Sequence, residues 1–478
     1  MYLQEIQLRN IKCFEKLTLN FTESGHPHDV ASIRRWTTLF GMNGLGKSTL
    51  LQAMGIALAG PSALKELMPV ADGWVRNGAN YGEIEAKLLW NEGDRVVKRP
   101  RKSTPFAIRY LIAGQNPERL PAALTEKDRP NPGEIIAWSG EEDPKTKEAY
   151  TKDRVMLQET AYQDQAQGWL SCGYGPFRRL SGGSEFTNNI VSKGRRAARY
   201  TTLFHEAAAV TNVIEWLTTL HNESRDGYEE SGRALAAVRA ALRQKLFPEA
   251  VELIVDSKKV LLRREGQPDT QFQDLSDGYR SMLSLSIDLL RWLTKAFPHQ
   301  PNLMDCPGVV LIDELDTHLH PKWQREIGFW LREKFPNIQF IVGTHSPFLA
   351  QVADEGPKDT PHQTGSSNVK LMETAHGVTA FPAEENARLL SPEQILQGEL
   401  FDMKSMLSPP IEMKLEQLDS LKRLRSQGTL RPGDAERMLL LQQELDLLPS
   451  AATPQGREVE KALGAAVQRA AHKLNALQ

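Results

Sequence analysis

The sequence predicts an α/β fold: a mixed sheet flanked by helices, an inserted helical lobe and a C-terminal helical module. Three observations carry this expectation. An apolar segment from Trp36 to Phe40 runs into a glycine-rich loop and then a helical stretch from Lys47 to Leu58, the order strand, glycine turn, helix. Apolar runs at Val309 to Ile312 and Ile338 to Val342 bracket a helical stretch from Pro321 to Phe335, an alternation typical of parallel strands covered by helices. From about residue 391 the character changes, and Ile411, Leu415, Leu418 and Leu421 recur at helical spacing.

The remaining elements follow in chain order. Leu3 to Leu8 and Leu17 to Phe21 read as short strands around the turn-like NIKCFEK, and Ile84 to Trp90 as another strand. Between about 91 and 200 the pattern breaks up under many Pro, Gly and charged residues, which suggests an insertion or irregular lobe. Helical periodicity returns from about 200 to 246, followed by strands at Val251 to Val255 and Val260 to Arg264. From Ser276 a buried helix carries Leu283, Leu285, Ile287, Leu289, Leu290 and Trp292, and 433–448 and 455–475 read as further helices. The expected organisation is residues 1–90 and 276–390 as two parts of one core, 91–275 as the inserted lobe and 391–478 as the helical module.

Bulk properties exclude several classes. With 40% hydrophobic and 25% charged residues among 478, the chain has the balance of a globular protein with a substantial core. A formal net charge of -2 gives no global pull toward nucleic acid or membrane, so such binding would need local patches. Cys13, Cys172 and Cys306 are far apart and odd in number, which gives no disulfide framework and favours a reducing, cytoplasmic setting. No signal-peptide pattern opens the chain and no apolar run has the roughly 20 residues a membrane span takes.

Four segments carry chemistry. GMNGLGKST, Gly41 to Thr49, satisfies the phosphate-loop pattern. Its glycines, with Asn43, Gly44 and Gly46 at the turn, let backbone N–H groups face a phosphate; Lys47 supplies a cation for the β- and γ-phosphates, and Ser48 a hydroxyl for Mg2+. VVLIDELDTHLHP, Val309 to Pro321, is an apolar strand ending in acids, costly to bury unless they meet metal, water or cations. Asp313 suits a Mg2+ ligand, and Glu314 suits a base that orients and deprotonates water. QDLSDGYRSML, Gln273 to Leu283, places Ser276 and Gly278 at a helix start, whose positive end suits an anion; a simple N-cap role explains Ser276 equally well. IVGTHSPF, Ile341 to Phe348, puts His345 just past a strand, where the ligand crevice of such a sheet lies.

In this order the four segments resemble the ABC ATPase family, specifically its non-transporter branch of SMC-like, RecF-like and overcoming-lysogenisation-defect proteins; IQLRNIKCFEKLTL is similar to that branch as well. The resemblance implies an ABC-ATPase head that binds ATP and Mg2+. By its motifs Lys47, Ser48 and Thr49 match Walker A, Asp313 and Glu314 Walker B, Leu275 to Gly278 the signature, Asp316 the D-loop and His345 the switch histidine. It further implies that Ser276, Gly278 and Asp316 act on nucleotide held by a second copy, so that a homodimer is the minimum assembly and a higher homo-oligomer is open. The signature reads LSDGYR rather than the transporter-like LSGGQ. The Q-loop glutamine stays unassigned among Gln158, Gln163, Gln165 and Gln167, and Arg178 and Arg179 of GYGPFRR are equally readable as phosphate contacts or as solvated surface.

GYGPFRR, DELDTHLHP, THSPF and SPEQILQGELFDMKSMLSPP are also similar to the stand-alone ATPases of Septu-type antiphage systems. That resemblance implies a separate effector, an HNH nuclease or toxin, under ATPase control, with no nuclease activity in this chain alone. His221-Asn222-Glu223 lacks a second histidine at useful spacing and reads as a helix end. For the helices after 391, partner docking and packing on the chain's own lobe are both open. A RecF-like DNA-maintenance ATPase is the alternative. It draws on Arg95, Lys98, Arg99, Arg101, Lys102 and Arg109 and on Lys193, Arg195, Arg196 and Arg199, clusters that fit either phosphate-backbone binding or a solvated face.

Overall fold

The structure is a computed structural model. It describes residues 1–22, 30–90, 105–116, 129–140, 144–164, 166–177, 184–208, 213–243, 251–257, 259–264, 268–353 and 368–445, with Leu120, Pro121, Leu124 and Gly266. The chain divides into two units, Met1–Ile395 and Leu396–Gln478.

The first half supplies strands β1 (Tyr2–Ile11), β2 (Phe14–Asn20), β3 (Trp36–Phe40), β4 (Tyr81–Leu89), β5 (Phe106–Ala113), β6 (Ile135–Ala137) and β7 (Ser171–Tyr174). The second supplies β8 (Val251–Val255), β9 (Val260–Arg264), β10 (Thr270–Gln271), β11 (Gly308–Ile312), β12 (Ile338–Gly343), β13 (Asn368–Thr374) and β14 (Gly377–Pro382). The helices begin with α1 (Lys47–Ala59), α2 (Pro61–Leu67), α3 (Pro144–Glu159), α4 (Glu185–Ser192), α5 (Thr201–Phe204), α6 (Val213–Arg225) and α7 (Glu229–Arg243). They continue with α8 (Asp277–Ala296), α9 (Pro321–Lys334), α10 (Pro347–Ala350), α11 (Pro392–Gln397), α12 (Pro409–Ser426) and α13 (Asp434–Leu445).

Eleven strands form one mixed sheet in the order β6-β5-β4-β1-β2-β14-β13-β3-β12-β11-β7. The run β13-β3-β12-β11-β7 is parallel throughout, whereas β5-β4-β1-β2 pairs antiparallel. β3, β11 and β12 are buried along their whole length, as expected of parallel strands covered on both faces. Their alternation divides the core. Val310, Ile312, Ile338, Phe340 and Val342 face a cluster built on α8 and α9, while Val309, Leu311 and Ile341 face one built on α1. Helix α1 is buried nearly all round, so it is fixed by packing rather than by an amphipathic stripe.

The stretch from 91 to 275, expected as an inserted irregular or helical lobe, also contributes strands to the main sheet. β5, β6 and β7 belong to the main sheet, and β7 closes its parallel end against β11. β7 is the four-residue segment SCGY, too short and too poor in β-branched residues to show a period. The hairpin β13–β14 was likewise not expected, because its strands mix apolar and polar residues. The helices between 200 and 246 are present as α5, α6 and α7, and the predicted strands at 251–255 and 260–264 are β8 and β9, joined by β10 into a separate sheet. In the second unit α12 and α13 pair through Leu418, Met438, Leu441 and Leu445, with Ile411, Leu415 and Leu421 against them; the helix expected over 455–475 lies outside the described residues. Among the described residues no helix is long and apolar enough to cross a membrane.

Candidate functional site

Three neighbouring parallel strands end at one edge of the sheet. Leu39 of β3 pairs with Gly343 of β12, and Val342 of β12 with Ile312 of β11. The segments that follow, the loop from Gly41, the acids from Asp313 and Thr344-His345, therefore emerge side by side, at the carboxyl ends where open α/β sheets bind ligands.

The loop ends at Gly46, the N-cap of α1, with φ 85°. A side chain is excluded there twice: by the left-handed backbone and by space, since a Cβ would lie 2.5 Å from Cys13 Sγ. Asn43 and Gly44 are exposed at the tip. Lys47 is buried and folds back, its Nζ donating to the carbonyls of Gly41 at 2.8 Å and Met42 at 3.3 Å. Ser48 is exposed in the first turn of α1, while Thr49 is buried.

Asp313 is 3% exposed, and its N–H donates to the Tyr174 carbonyl at 2.8 Å. The carboxylate fits because β12 ends in glycine: a Cβ on Gly343 would come within 2.8 Å of Asp313 Oδ1. Glu314 has φ 47°, a conformation costly for a side-chain-bearing residue, and its Oε2 accepts from Thr317 Oγ1 at 2.9 Å. Asp316 accepts from the Thr344 hydroxyl, which in turn accepts the Ser346 N–H at 3.0 Å. Gln324 Nε2 donates to the Leu319 carbonyl at 3.0 Å, and its Oε1 accepts from the Ser346 hydroxyl at 2.7 Å. Thr344 and Gln324 thus lock the loop after Asp313 to the end of β12.

Electrostatics join these groups into one site. Burial lowers the Lys47 pKa, and Asp313, Glu314 and Asp316 pull it back up. Burial also lowers His345, followed by Lys47, against an opposing pull from Asp316 and Glu314. The structure brings Lys47, Asp313, Glu314, Asp316 and His345 into one field. The arrangement offers a glycine cradle at a helix N-terminus for an anion and an ammonium group for phosphate oxygens. The Ser48 hydroxyl and Asp313 carboxylate are hard oxygen donors of the kind Mg2+ takes. This donor set fits ATP with Mg2+.

Ser276 and Gly278 stand at the start of α8. Ser276 holds the N-cap position of α8, but its side chain makes no capping hydrogen bond, and the residue is exposed. Gly278 packs against the loop following the acids, where a Cβ would meet the His318 carbonyl at 2.9 Å. Tyr279 sets its ring edge-on to Trp323 at 4.8 Å.

A family model described as "AAA domain, putative AbiEii toxin, Type IV TA system" matches residues 37–350. The chain belongs to that AAA family. Among curated relatives, Septu protein PtuA of Bacillus mycoides (strain KBAB4) is 26% identical over 348 residues, 72% of this chain and 38% of that protein. "Retron Ec83 probable ATPase" of Escherichia coli is 43% identical over 110 residues, 23% of this chain and 19% of its own length. The chain thus spans well under half of either relative. Among solved structures, an Smc head bound to the C-winged helix domain of ScpA aligns over 80% of this chain and 98% of that one, with a TM-score of 0.45 and 14% identity.

All the residues proposed from sequence for the nucleotide site lie inside the span matched by the AAA family. The structure adds Gly343, Thr344 and Gln324; the signal for the first two was the GTHSP string itself, and Gln324 had none. GYGPFRR does reach the site edge, because Tyr174 pairs with Ile312; Arg178 and Arg179 lie outside the described residues. Gln163 donates to the Gln158 carbonyl, Gln167 lines a separate cleft and Gln165 is outside the described residues. Of the first basic cluster only Arg109 is described, and it pairs with Glu85 at 2.5 Å. In the second, Arg196 is neither solvated nor open to a phosphate: it is 1% exposed and donates to the carbonyls of Leu58, Ala59 and Ala161. His221, Asn222 and Glu223 lie within α6, where Glu223 accepts from Ser231 at 2.5 Å.

Proposed function

We propose that this chain is a Mg2+-dependent ATPase whose pocket is completed by a second copy, and that its nucleotide state governs a separate effector in antiphage defence. The observation that carries the reading is the convergence of Lys47, Asp313, Glu314, Asp316 and His345 on one sheet edge, in one electrostatic field. The relatives named as Septu and retron proteins support the defence setting.

In this reading Lys47 leaves the Gly41 and Met42 carbonyls to bind the β- and γ-phosphate oxygens, a cation traded between two sets of acceptors. Ser48 and Asp313 would hold Mg2+, which neutralises phosphate charge when bound. Glu314 accepts the proton of the attacking water. His345, whose pKa is lowered by burial and then by Lys47, binds the γ-phosphate edge as hydrogen-bond donor. The exposed Ser276 hydroxyl, spared from capping duty, and the helix N-terminus beneath it are offered to nucleotide on a partner subunit.

Glu314→Gln keeps the shape and removes the base. Turnover should fall by about 10²- to 10⁴-fold while ATP binding persists and the ATP-bound variant accumulates as a dimer by mass measurement. Comparable turnover in wild type and variant would contradict the catalytic assignment. For the effector, copurification from the native operon should bring down a nuclease or toxin, and loss of the chain should alter phage sensitivity; no such partner together with unchanged phage sensitivity would overturn that part.

A further inference from the structure

A second cleft, of about 1160 Å³, is lined by the cations Lys193, Arg195, Arg199, Arg233 and Lys295, by the acids Asp164 and Glu230, and by apolar side chains that include Trp216 and Leu220. None of the residues of the nucleotide site lines it.

Its charge is unusual. Three cations surround the Trp292 ring: Arg199 at 5.2 Å, Arg291 at 4.9 Å and Lys295 at 5.0 Å from the centroid. Arg199 is 3% exposed and Arg291 8%. Among the carboxylates near these cations, Asp288 accepts from Tyr174 Oη at 3.0 Å and Trp292 Nε1 at 2.9 Å and lies 3.8 Å from Arg291, and Glu215 also favours the charged form of Arg291. Among the described residues Arg199 donates to the Trp169 carbonyl, at 3.5 Å, and its buried Nε has no hydrogen-bond partner. Lys295 Nζ lies over Gly194, 3.3 Å from where a Cβ would stand; burial, then Arg291 and Arg199, lower its pKa to about 8. Arg195, at the rim, is paired with Glu66 at 3.4 Å and Asp164 at 3.8 Å.

A lysine in the last turn of α8 is ordinary, since it meets the negative end of the helix. That accounts for Lys295 alone. An indole face offsets part of the repulsion among cations, but five Lys/Arg against two acids in the cleft lining leave an excess of positive charge that an anion would offset. Phosphate supplies several acceptor oxygens and the missing charge, and guanidinium geometry matches it. The cleft also carries apolar side chains, among them the half-buried Trp216 ring, which is suited to stacking on a base. The volume is of the order of small-ligand pockets, about 300–1,000 Å³.

We infer that this cleft is a second nucleotide site, binding a nucleoside phosphate of mononucleotide size with its phosphate on Arg199, Lys193 and Lys295 and its base against Trp216. It lies at the far end of α8 from Ser276, so one rigid helix of 20 residues links the cleft to the signature segment.

The test is calorimetric titration of 5′-AMP into the full chain with the phosphate loop already filled by ATPγS and Mg2+. One additional site per chain is expected. Lys193→Glu combined with Lys295→Glu should weaken AMP binding by about tenfold or more, Lys295→Arg should retain it, and ATPγS affinity at the phosphate loop should not change. Should the double variant lose its fold, Lys295→Gln, at an exposed position, is read in the same way. Absence of AMP binding at millimolar concentration would overturn the inference, as would an affinity indifferent to these substitutions. So would capture of a ten-nucleotide oligothymidylate in place of AMP through the same residues, since that would make the cleft a polynucleotide groove.

Discussion

At Gly343 one missing methyl group leaves room for a carboxylate: Asp313 Oδ1 occupies the space a Cβ would need, with Leu51 Cδ1 only 3.2 Å from the same point. The backbone of Gly343 is ordinary strand, so the demand for glycine there is steric rather than conformational. Gly343→Ala should cost about 1–3 kcal/mol in stability from overpacking. It should also cost far more in function, because Asp313 is the atom set that moves. The expected result is a folded protein by circular dichroism whose Mg2+-dependent ATP turnover falls at least about tenfold; full activity would show that the position of Asp313 is not critical. Glu314 and Thr344 belong to the same scale. A left-handed φ on an acid and a buried hydroxyl clamped between Asp316 and Ser346 are local costs that the surrounding packing sustains, a pattern that gathers at functional sites.

Among the elements, α1 is held at both ends by different chemistry. Its N-terminus is the phosphate loop; its C-terminus ends on Arg196, whose guanidinium reaches the Leu58 and Ala59 carbonyls at 2.7 and 2.8 Å. The cation suits the negative end of the helix, and burial lowers its pKa only to about 10, so it stays charged at pH 7. Arg196→Met would leave those carbonyls and that of Ala161 without their donor. A loss of about 3 kcal/mol or more is expected in urea denaturation, together with weaker ATP binding; an unchanged midpoint would mean that the clamp is dispensable. The sequence displayed Arg196 only as part of a basic run, because a linear charge pattern does not tell a buried guanidinium from a solvated one. Legibility followed the same line elsewhere. β3, β11 and β12 stood out because fully buried parallel strands are continuous apolar runs beside motif residues. β7 is four residues long, and β13–β14 mixes apolar and polar side chains without strict alternation around a turn without a strong hairpin signal, so neither had a local pattern to read. The proposed site residues stood out because a phosphate and Mg2+ site would demand particular atoms at fixed spacing; Gln324, which bonds a carbonyl and a serine hydroxyl, would be under no such demand.

At the scale of the whole molecule, the proposed pocket draws on two segments of the chain, the loop carrying Lys47 and the start of α8. The edge carrying Lys47 gathers the charged groups, while Ser276 stands exposed at the head of α8 with its hydroxyl uncommitted. Two-fold pairing of identical chains repeats every contact twice, so a head-to-tail pair would contain two composite pockets. The direct measurement is ATP turnover in a mixture of Lys47→Ala and Ser276→Arg proteins, each inactive alone and each shown to assemble. Random pairing makes half of the dimers mixed, each with one intact pocket, and roughly a quarter of wild-type turnover is expected at equal amounts. A mixture that assembles as well as its parents yet stays as inactive as they are would contradict the shared pocket.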